Sequence, residues 1–262
     1  MIPQHSSALL ISDIHLTPSM PLTAQRFFDF CEKDAPKVEA VFILGDLFEY
    51  WVGDDTSLSS PFQQEVKTAL ANLSTKTKTY YVHGNRDFLI GSRFLKKTGM
   101  TLLADPSLID IAGEKYVICH GDSLCTADVG YQIFRSIVRK PWIQKLFLSM
   151  PLNWRRSIAN SLRSNSHTQY QSSASKSSAL NSVRTNVTLE ACAAVVKDWS
   201  MDKLIHGHTH LPAHHHEQLG QQTWQRWVLS DWDLDHPLST APRASALALN
   251  GEGVHYIDLS KT

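Results

Sequence analysis

The sequence predicts an α/β protein with strands for two sheets, interrupted by a basic helical insert. Three observations carry this expectation. Short β-branched and aromatic runs alternate with amphipathic helical segments through the N-terminal part, a strand-helix-strand rhythm. Each run stops at a turn that carries Asp, Asn or His. Between Val129 and Leu189 the chain has nine basic residues (Arg135, Arg139, Lys140, Lys145, Arg155, Arg156, Arg163, Lys176, Arg184) and no acidic one.

The length of 262 residues allows one large domain, or one domain with a smaller insert. Lys+Arg and Asp+Glu are both 25, so the overall charge points to neither nucleic acid nor an acidic partner, and any electrostatic argument is local. Cys31, Cys119, Cys125 and Cys192 lack CxxC spacing, and the opening MIPQHSSALLISD lacks a basic region followed by a long apolar stretch. Reduced thiols and a cytosolic location follow as expectations. No run reaches the roughly 18 apolar residues that span a bilayer, so membrane contact is expected to be peripheral.

In order along the chain, Ala8–Ser12 is a first strand ending in Asp13-Ile14-His15, where alternation puts Asp13 and His15 on one side. Leu22–Asp34 has a helical distribution of phenylalanines. Val41–Leu44 follows as a strand buried on both faces and closed by Gly45-Asp46. Ligands gather at the carboxyl edge of a parallel sheet, which makes Asp46 a candidate ligand; alone, it reads as readily as the N-cap of the next helix. Pro61–Leu73 is a second helix, and Thr79–Val82 a strand ending in His83-Gly84-Asn85-Arg86-Asp87. The Asn85 amide oxygen can ligate a hard cation, although Gly-Asn is also ordinary turn chemistry. Tyr116–Cys119 ends in His120-Gly121-Asp122, and Lys203–Ile205 in His206-Gly207-His208-Thr209-His210. Five strand ends supplying metal-competent side chains to one sheet edge make a shared metal site a better account than five separate turns. Trp227–Leu229, Ala246–Leu249 and Val254–Ile257 read as strands of a second sheet, and His214-His215-His216 as an exposed loop.

The insert interleaves cations with Ile133, Phe134, Ile137, Trp142, Leu146 and Trp154, as in helices with an apolar and a cationic face, and Pro141 and Pro151 divide it. Such helices could cap the core by packing on themselves, or meet an anionic lipid substrate or membrane. Ser164–Ser182 reads as a flexible return.

The ordered set Asp13-x-His15, Gly45-Asp46, Gly84-Asn85, His120 and Gly207-His208-x-His210 resembles the calcineurin-like metallophosphoesterase superfamily. Ile43–Phe48 with Trp51 and Gly53-Asp54-Asp55, His83–Leu89, His120-Gly121-Asp122, Lys140-Pro141-Trp142 and Leu204–His210 resemble, more closely, its lipid A pathway branch acting on UDP-2,3-diacylglucosamine. The resemblance implies a four-layer α/β/β/α sandwich from residues 1–125 and 190–262, with a helical cap at 126–189. It implies two Mn²⁺ ions, one on Asp13, His15, Asp46 and His210 and one on Asp46, Asn85, His120 and His208. Such a pair, about 3.5–4 Å apart, lowers the pKa of water and steadies the entering and leaving oxygens of an in-line attack on phosphorus.

Asp46, Asn85, Arg86 and His208 would be the catalytic residues. Asn85, Arg86, Asp128, Ser166, Lys176 and His208 would contact the head group, with acyl chains under the cap. Arg86 stands where many of these phosphatases carry a proton-donating His; a guanidinium cannot donate a proton at neutral pH but can bind phosphate oxygens, which suits a pyrophosphate. The implied setting is the cytoplasmic face of a bacterial inner membrane, with an anionic surface, no nucleic acid and no obligate protein partner. The rivals are another phosphodiesterase or phosphatase of the superfamily and a non-catalytic scaffold, the latter opposed by the presence of all seven ligands.

Overall fold

The computed structural model describes residues 2–58, 60–161, 186–236 and 241–261. Among them the strands are β1 (Gln4–His5), β2 (Ala8–Ile11), β3 (Ala40–Leu44), β4 (Lys78–Val82), β5 (Thr101–Leu102), β6 (Ser107–Ile111), β7 (Glu114–Cys119), β8 (Lys203–His206), β9 (Ala213–Leu219), β10 (Gln222–Val228), β11 (Ser245–Asn250) and β12 (Gly253–Asp258). The α-helices are α1 (Pro21–Asp29), α2 (Pro61–Ser74), α3 (Ser92–Thr98), α4 (Val129–Val138), α5 (Pro141–Ser149) and α6 (Leu189–Asp198); residues 152–161 are also helical. Helix breaks fall at Pro141 and Pro151, as the fixed proline φ requires.

Two six-stranded sheets face each other, in the orders β12-β11-β2-β3-β4-β5 and β1-β6-β7-β8-β10-β9. Alternation along β3 supplies two cores at once. Ala40, Phe42 and Leu44 face the second sheet and meet Ile109, Tyr116, Ile118, Ile205 and Trp227. Val41 and Ile43 face outward to Phe27 and Phe30 beneath α1, Leu70 of α2 and Phe94 of α3. On the far side, α6 lays Cys192, Ala193 and Val196 on Val117, Cys119 and Leu204. The result is the expected α/β/β/α order of layers.

Parallel register brings the strand ends level. Leu10 pairs with Phe42 and Phe42 with Tyr80 in the first sheet, and Cys119 with His206 in the second, so the turns after β2, β3, β4, β7 and β8 leave at one edge. Three local expectations change. Ala246–Leu249 and Val254–Ile257 do not belong to the second sheet with Trp227: as β11 and β12 they extend the first sheet, β11 pairing with β2, and the second sheet is built instead from β7 and β8 beside β10. His214–His216 lie in β9, an edge strand paired with β10, because a polar edge strand needs one apolar neighbour rather than an apolar sequence; His214 stacks on Trp227 at 4.5 Å. Strand β2 stops at Ile11, and Asp13 and His15 converge through left-handed backbone (φ 54° and 52°) rather than through strand alternation.

The acidic, aromatic stretch after β3 has a structural explanation. Phe48 and Trp51 pack with Phe94, at ring separations of 5.8 Å and 4.8 Å, and with each other at 4.7 Å. Asp54 accepts from Trp51 Nε1 (3.2 Å) and from the amides of Gly91 (2.8 Å) and Phe94 (2.9 Å), fastening the start of α3. Asp55 pairs with Arg155, whose guanidinium also donates to the carbonyls of Val52 and Met150. Arg155 is 3% exposed, so this cation anchors the insert and contributes nothing to a surface face.

Arg155→Ala leaves buried acceptors unpaired, at about 1–3 kcal/mol. Amide exchange in residues 152–161 is expected to accelerate roughly tenfold or more while β3 stays protected. Unchanged protection there would remove Arg155 as the anchor.

Candidate metal centre

The edge turns assemble two adjoining groups of potential ligand atoms. Asp13, His15 and His210 form one and Asp13, Asp46 and His120 the other, each with its atoms within 4.8 Å of one another. Asn85 extends the second: its Oδ1 lies 2.8 Å from His120 Nε2 and 3.0 Å from His208 Nδ1. All seven residues expected at the centre are therefore brought together. Asp13, His15, Asp46, His208 and His210 have positive φ, between 51° and 70°, which is uncommon outside glycine and concentrates at functional sites.

Two glycines make the approach possible. At Gly84 a Cβ would collide with the Asp46 carboxylate, and at Gly207 with Ser12 and the Asp13 carboxylate, so any side chain would push apart the turns that meet there. Asp46 is not a helix cap; no helix follows it, and its Oδ1 accepts from the Arg86 amide at 2.8 Å. Asp87 is also not a partner for Arg86. Its buried carboxylate accepts from the amides of Leu47 (2.7 Å), Gly84 (3.1 Å), Asp46 (3.3 Å) and Phe48 (3.3 Å). Among the described residues the Arg86 guanidinium has no hydrogen bond or ion pair, and its charge acts on His15.

The polar atoms of the cluster fit cations. Asp13 Oδ2 is held by Ser12 Oγ (2.5 Å) and the His208 amide (2.8 Å), while buried Oδ1 has no hydrogen bond and lies 3.3 Å from His210 Nε2. His15 Nε2 and His210 Nε2 face each other at 3.5 Å. His120 donates Nδ1–H to the Leu44 carbonyl (2.8 Å), which turns Nε2 toward oxygens of Asn85 and Asp46, where a cation would take the place of a proton. Lone pairs converging on common points are the arrangement a divalent ion resolves, and mixed carboxylate, amide and imidazole donors suit Mn, Fe or Zn.

Electrostatics separate the groups. Burial holds His15 down at about 3 and, with the His120 charge, His208 at about 4, leaving both neutral. Burial also raises Asp46 to about 7, helped by Asp87 and Asp13. His120 moves the other way: burial alone would lower it, but Asp46, Asp13 and Asp122 raise it to about 9. Asp13 is held below the carboxylate range because its contact and charge interaction with His210 outweigh burial.

The sequence does not mark the carboxylates that stand behind these ligands. Asp231 lies 3.7 Å from His210 Nδ1 and is gripped by Arg243 through Nε (2.9 Å) and Nη2 (2.7 Å); Glu49 Oε2 lies 3.5 Å from His15 Nδ1. Neither carboxylate is hydrogen-bonded to its imidazole, but each places negative charge behind a ligating ring. Nothing in a sequence marks Asp231, because its partner arrives from a separate loop. His206, inside the histidine-rich turn, points elsewhere, donating to the Gly207 carbonyl (2.8 Å) and accepting from Arg226 (3.1 Å). Asp128 caps α4, accepting from the Tyr131 amide at 3.0 Å. Ser166 and Lys176 lie outside the described residues.

A family model described as calcineurin-like phosphoesterase matches residues 7–212. The chain is a calcineurin-like phosphoesterase. Among curated members of this phosphoesterase family, it is 46% identical to a UDP-2,3-diacylglucosamine hydrolase of Ralstonia nicotianae, over 91% of this chain and 87% of that one. It is 43% identical to the protein of that name in Aeromonas salmonicida, over 96% and 99%, and 42% identical to that of Escherichia coli O7:K1, over 87% and 92%.

If Asp46 bridges two ions in this phosphoesterase, Asp46→Asn should lower the metal retained after desalting from two equivalents per chain to one or none. Elemental analysis showing two equivalents in the variant would exclude the bridge.

Proposed function

We propose that the protein hydrolyses the pyrophosphate bond of UDP-2,3-diacylglucosamine, with water attacking the α-phosphorus, to release UMP and 2,3-diacylglucosamine 1-phosphate. It does so with two Mn²⁺ ions, docked on the cytoplasmic face of an anionic bacterial membrane. The observation that carries this reading is the inversion of the cap helices beside the metal centre. On α4 the apolar side chains face out, with Val129 63% exposed and Ile133 57%, while Arg135 and Arg139 turn toward buried carboxylates. Trp142, Leu146 and Trp154 are similarly exposed on the following helical segments. A helix that turns its cations inward and exposes its greasy side has a use for apolar contact, such as acyl chains or a lipid surface. The expected cationic face is accordingly smaller than the composition suggested. Arg135, Arg139 and Arg155 are occupied inside, and Lys140 and Lys145 remain exposed. Apolar insertion rather than charge would dominate docking. Among the described residues no helix is long and apolar enough to cross a membrane.

The ions, when bound, would supply Lewis-acid stabilisation and a more acidic water. Asp13, His15, Asp46 and His210 would hold one, and Asp46, Asn85, His120 and His208 the other. Arg86, whose guanidinium has no hydrogen bond or ion pair among the described residues, would clamp phosphate oxygens bidentately and favour the charge that grows on the leaving phosphate. No general acid is required, because the departing group is a phosphate rather than an alkoxide. The curated relatives' names support the lipid-linked UDP-sugar as the substrate, and the head-group contacts are assigned to Asn85, Arg86, Asp128, Ser166, Lys176 and His208.

Incubation of the Mn²⁺-loaded protein with UDP-2,3-diacylglucosamine in ¹⁸O-water should give UMP with the label on its phosphate. No UMP would end the substrate assignment, and label on the acylated sugar phosphate would move the attack to the β-phosphorus. Separately, Trp142→Ser with Trp154→Ser should weaken binding to vesicles containing anionic lipid by about tenfold or more, since each buried indole contributes on the order of 1.5–3 kcal/mol. Unchanged vesicle affinity would remove the membrane face.

A further inference from the structure

Helix α4 turns three polar side chains inward, Tyr131, Arg135 and Arg139, spaced four apart so that they form one stripe. Each reaches a different member of the Asn85, His120 and His208 group. The Tyr131 ring lies nearly parallel to the His208 imidazole, with centroids 6.5 Å apart and planes at 24°, while His120 meets His208 edge-on at 5.1 Å. The phenol is fixed by donating to Asp122 Oδ2 at 2.6 Å. Arg135 donates Nε–H to the same oxygen (2.7 Å) and reaches Asp105 Oδ2 with Nη2 (3.1 Å); Asp105 Oδ1 in turn accepts the His120 backbone amide at 3.1 Å. Arg139 Nη2 donates to the Gly84 carbonyl (2.9 Å), the peptide immediately before Asn85. Among the described residues, α4 makes no hydrogen bond, ion pair or ring contact with Asp13, His15 or His210.

We propose that this stripe is a support for one metal subsite only: Tyr131, Arg135 and Arg139 are positioning residues for His208, His120 and Asn85, and the Asp13, His15 and His210 subsite is independent of the cap. The cap helix is then part of the metal centre as well as a cover for substrate. Its cations neutralise the buried Asp122 and the largely buried Asp105 carboxylate on either side of His120, and removing a cation leaves an uncompensated charge that shifts the His120 backbone. Groups that orient ligands in this way typically contribute about 10–100-fold to metal affinity. By linkage, whatever orders α4 also tightens that subsite and leaves the other unchanged.

The inference rests on the two-metal reading and not on the identity of the substrate, so it is tested by Mn²⁺ titration of the full chain without any phosphate ester. Paramagnetic resonance would follow free Mn²⁺ and the spin-coupled pair. Wild type should bind two equivalents. Arg139→Gln and Tyr131→Leu should keep one equivalent at wild-type affinity and bind the second about 10–100-fold more weakly, with loss of the coupled signal. Arg139→Lys, which can still donate to the Gly84 carbonyl, should recover most of the second affinity, and Ser136→Ala on the solvent side of α4 should change neither. Equal weakening of both equivalents, failure of the lysine rescue, or two unchanged affinities would each overturn the inference. Fewer than two equivalents in wild type would instead overturn the two-metal reading beneath it.

Discussion

The arrangement depends on one buried carboxylate that touches no ligand atom. Asp87 accepts the amides of Asp46, Leu47, Phe48 and Gly84, and so ties the turn after β3 to the turn after β4. An anion amid several backbone N–H groups is well solvated by the protein, and those groups would otherwise be unpaired inside it. With the two turns joined, the Arg86 amide reaches Asp46 Oδ1 at 2.8 Å and aims the Asp46 carboxylate into the centre. Asp87 thereby spares Arg86: a guanidinium spent on its sequence neighbour would be unavailable to phosphate.

How far the sequence was legible follows from which contacts are local. Strand ends with Asp, Asn or His can be read directly, since hydrophobic runs locate strands and parallel register leaves little choice about which edge the following residues occupy. The layer order came from the family resemblance instead, since hydrophobic runs do not say that β11 and β12 join the first sheet. The backbone at Asp13 and His15 was not, because left-handed conformations are set by what closes over the turn: Asp13 donates its amide to the Gly45 carbonyl and His15 to that of Asp46. Asp231 and Glu49 were not legible since each stands behind a histidine far away in sequence.

The cap shows a different limit. Periodicity identifies α4 as two-faced but does not say which face goes inside, and the usual assumption buries the apolar one. Here Asp105 and Asp122 decide. Asp122 is fully buried and the Asp105 side chain largely so; without partners both would be left charged, and their affinity for Arg135 outweighs the burial that Ile133 and Ile137 could have had. An acidic pair lying outside the insert thus inverts a helix within it, and no reading confined to the insert could have found this. The same inversion supplies both an exposed apolar surface and a rigid tie to the metal turns.

The left-handed residues bear on why the centre uses Asp and His rather than other donors. Each non-glycine residue at positive φ costs on the order of 1–2 kcal/mol, and five such positions together are comparable with the net stability of a domain. Asn, Asp and His bear this conformation best, since short polar side chains bond locally. The residue types that tolerate the turns are therefore the ones that ligate hard or borderline cations, and folding and chemistry select the same side chains. What remains of the strain is held by the surrounding bonds, with Ser12 and the His208 amide on Asp13, Leu44 on His120, and Asp231 with Arg243 behind His210. A cation drawing Asp13, His15 and His210 together acts on conformations already bent toward it, so its binding energy goes into affinity rather than into reshaping the turns.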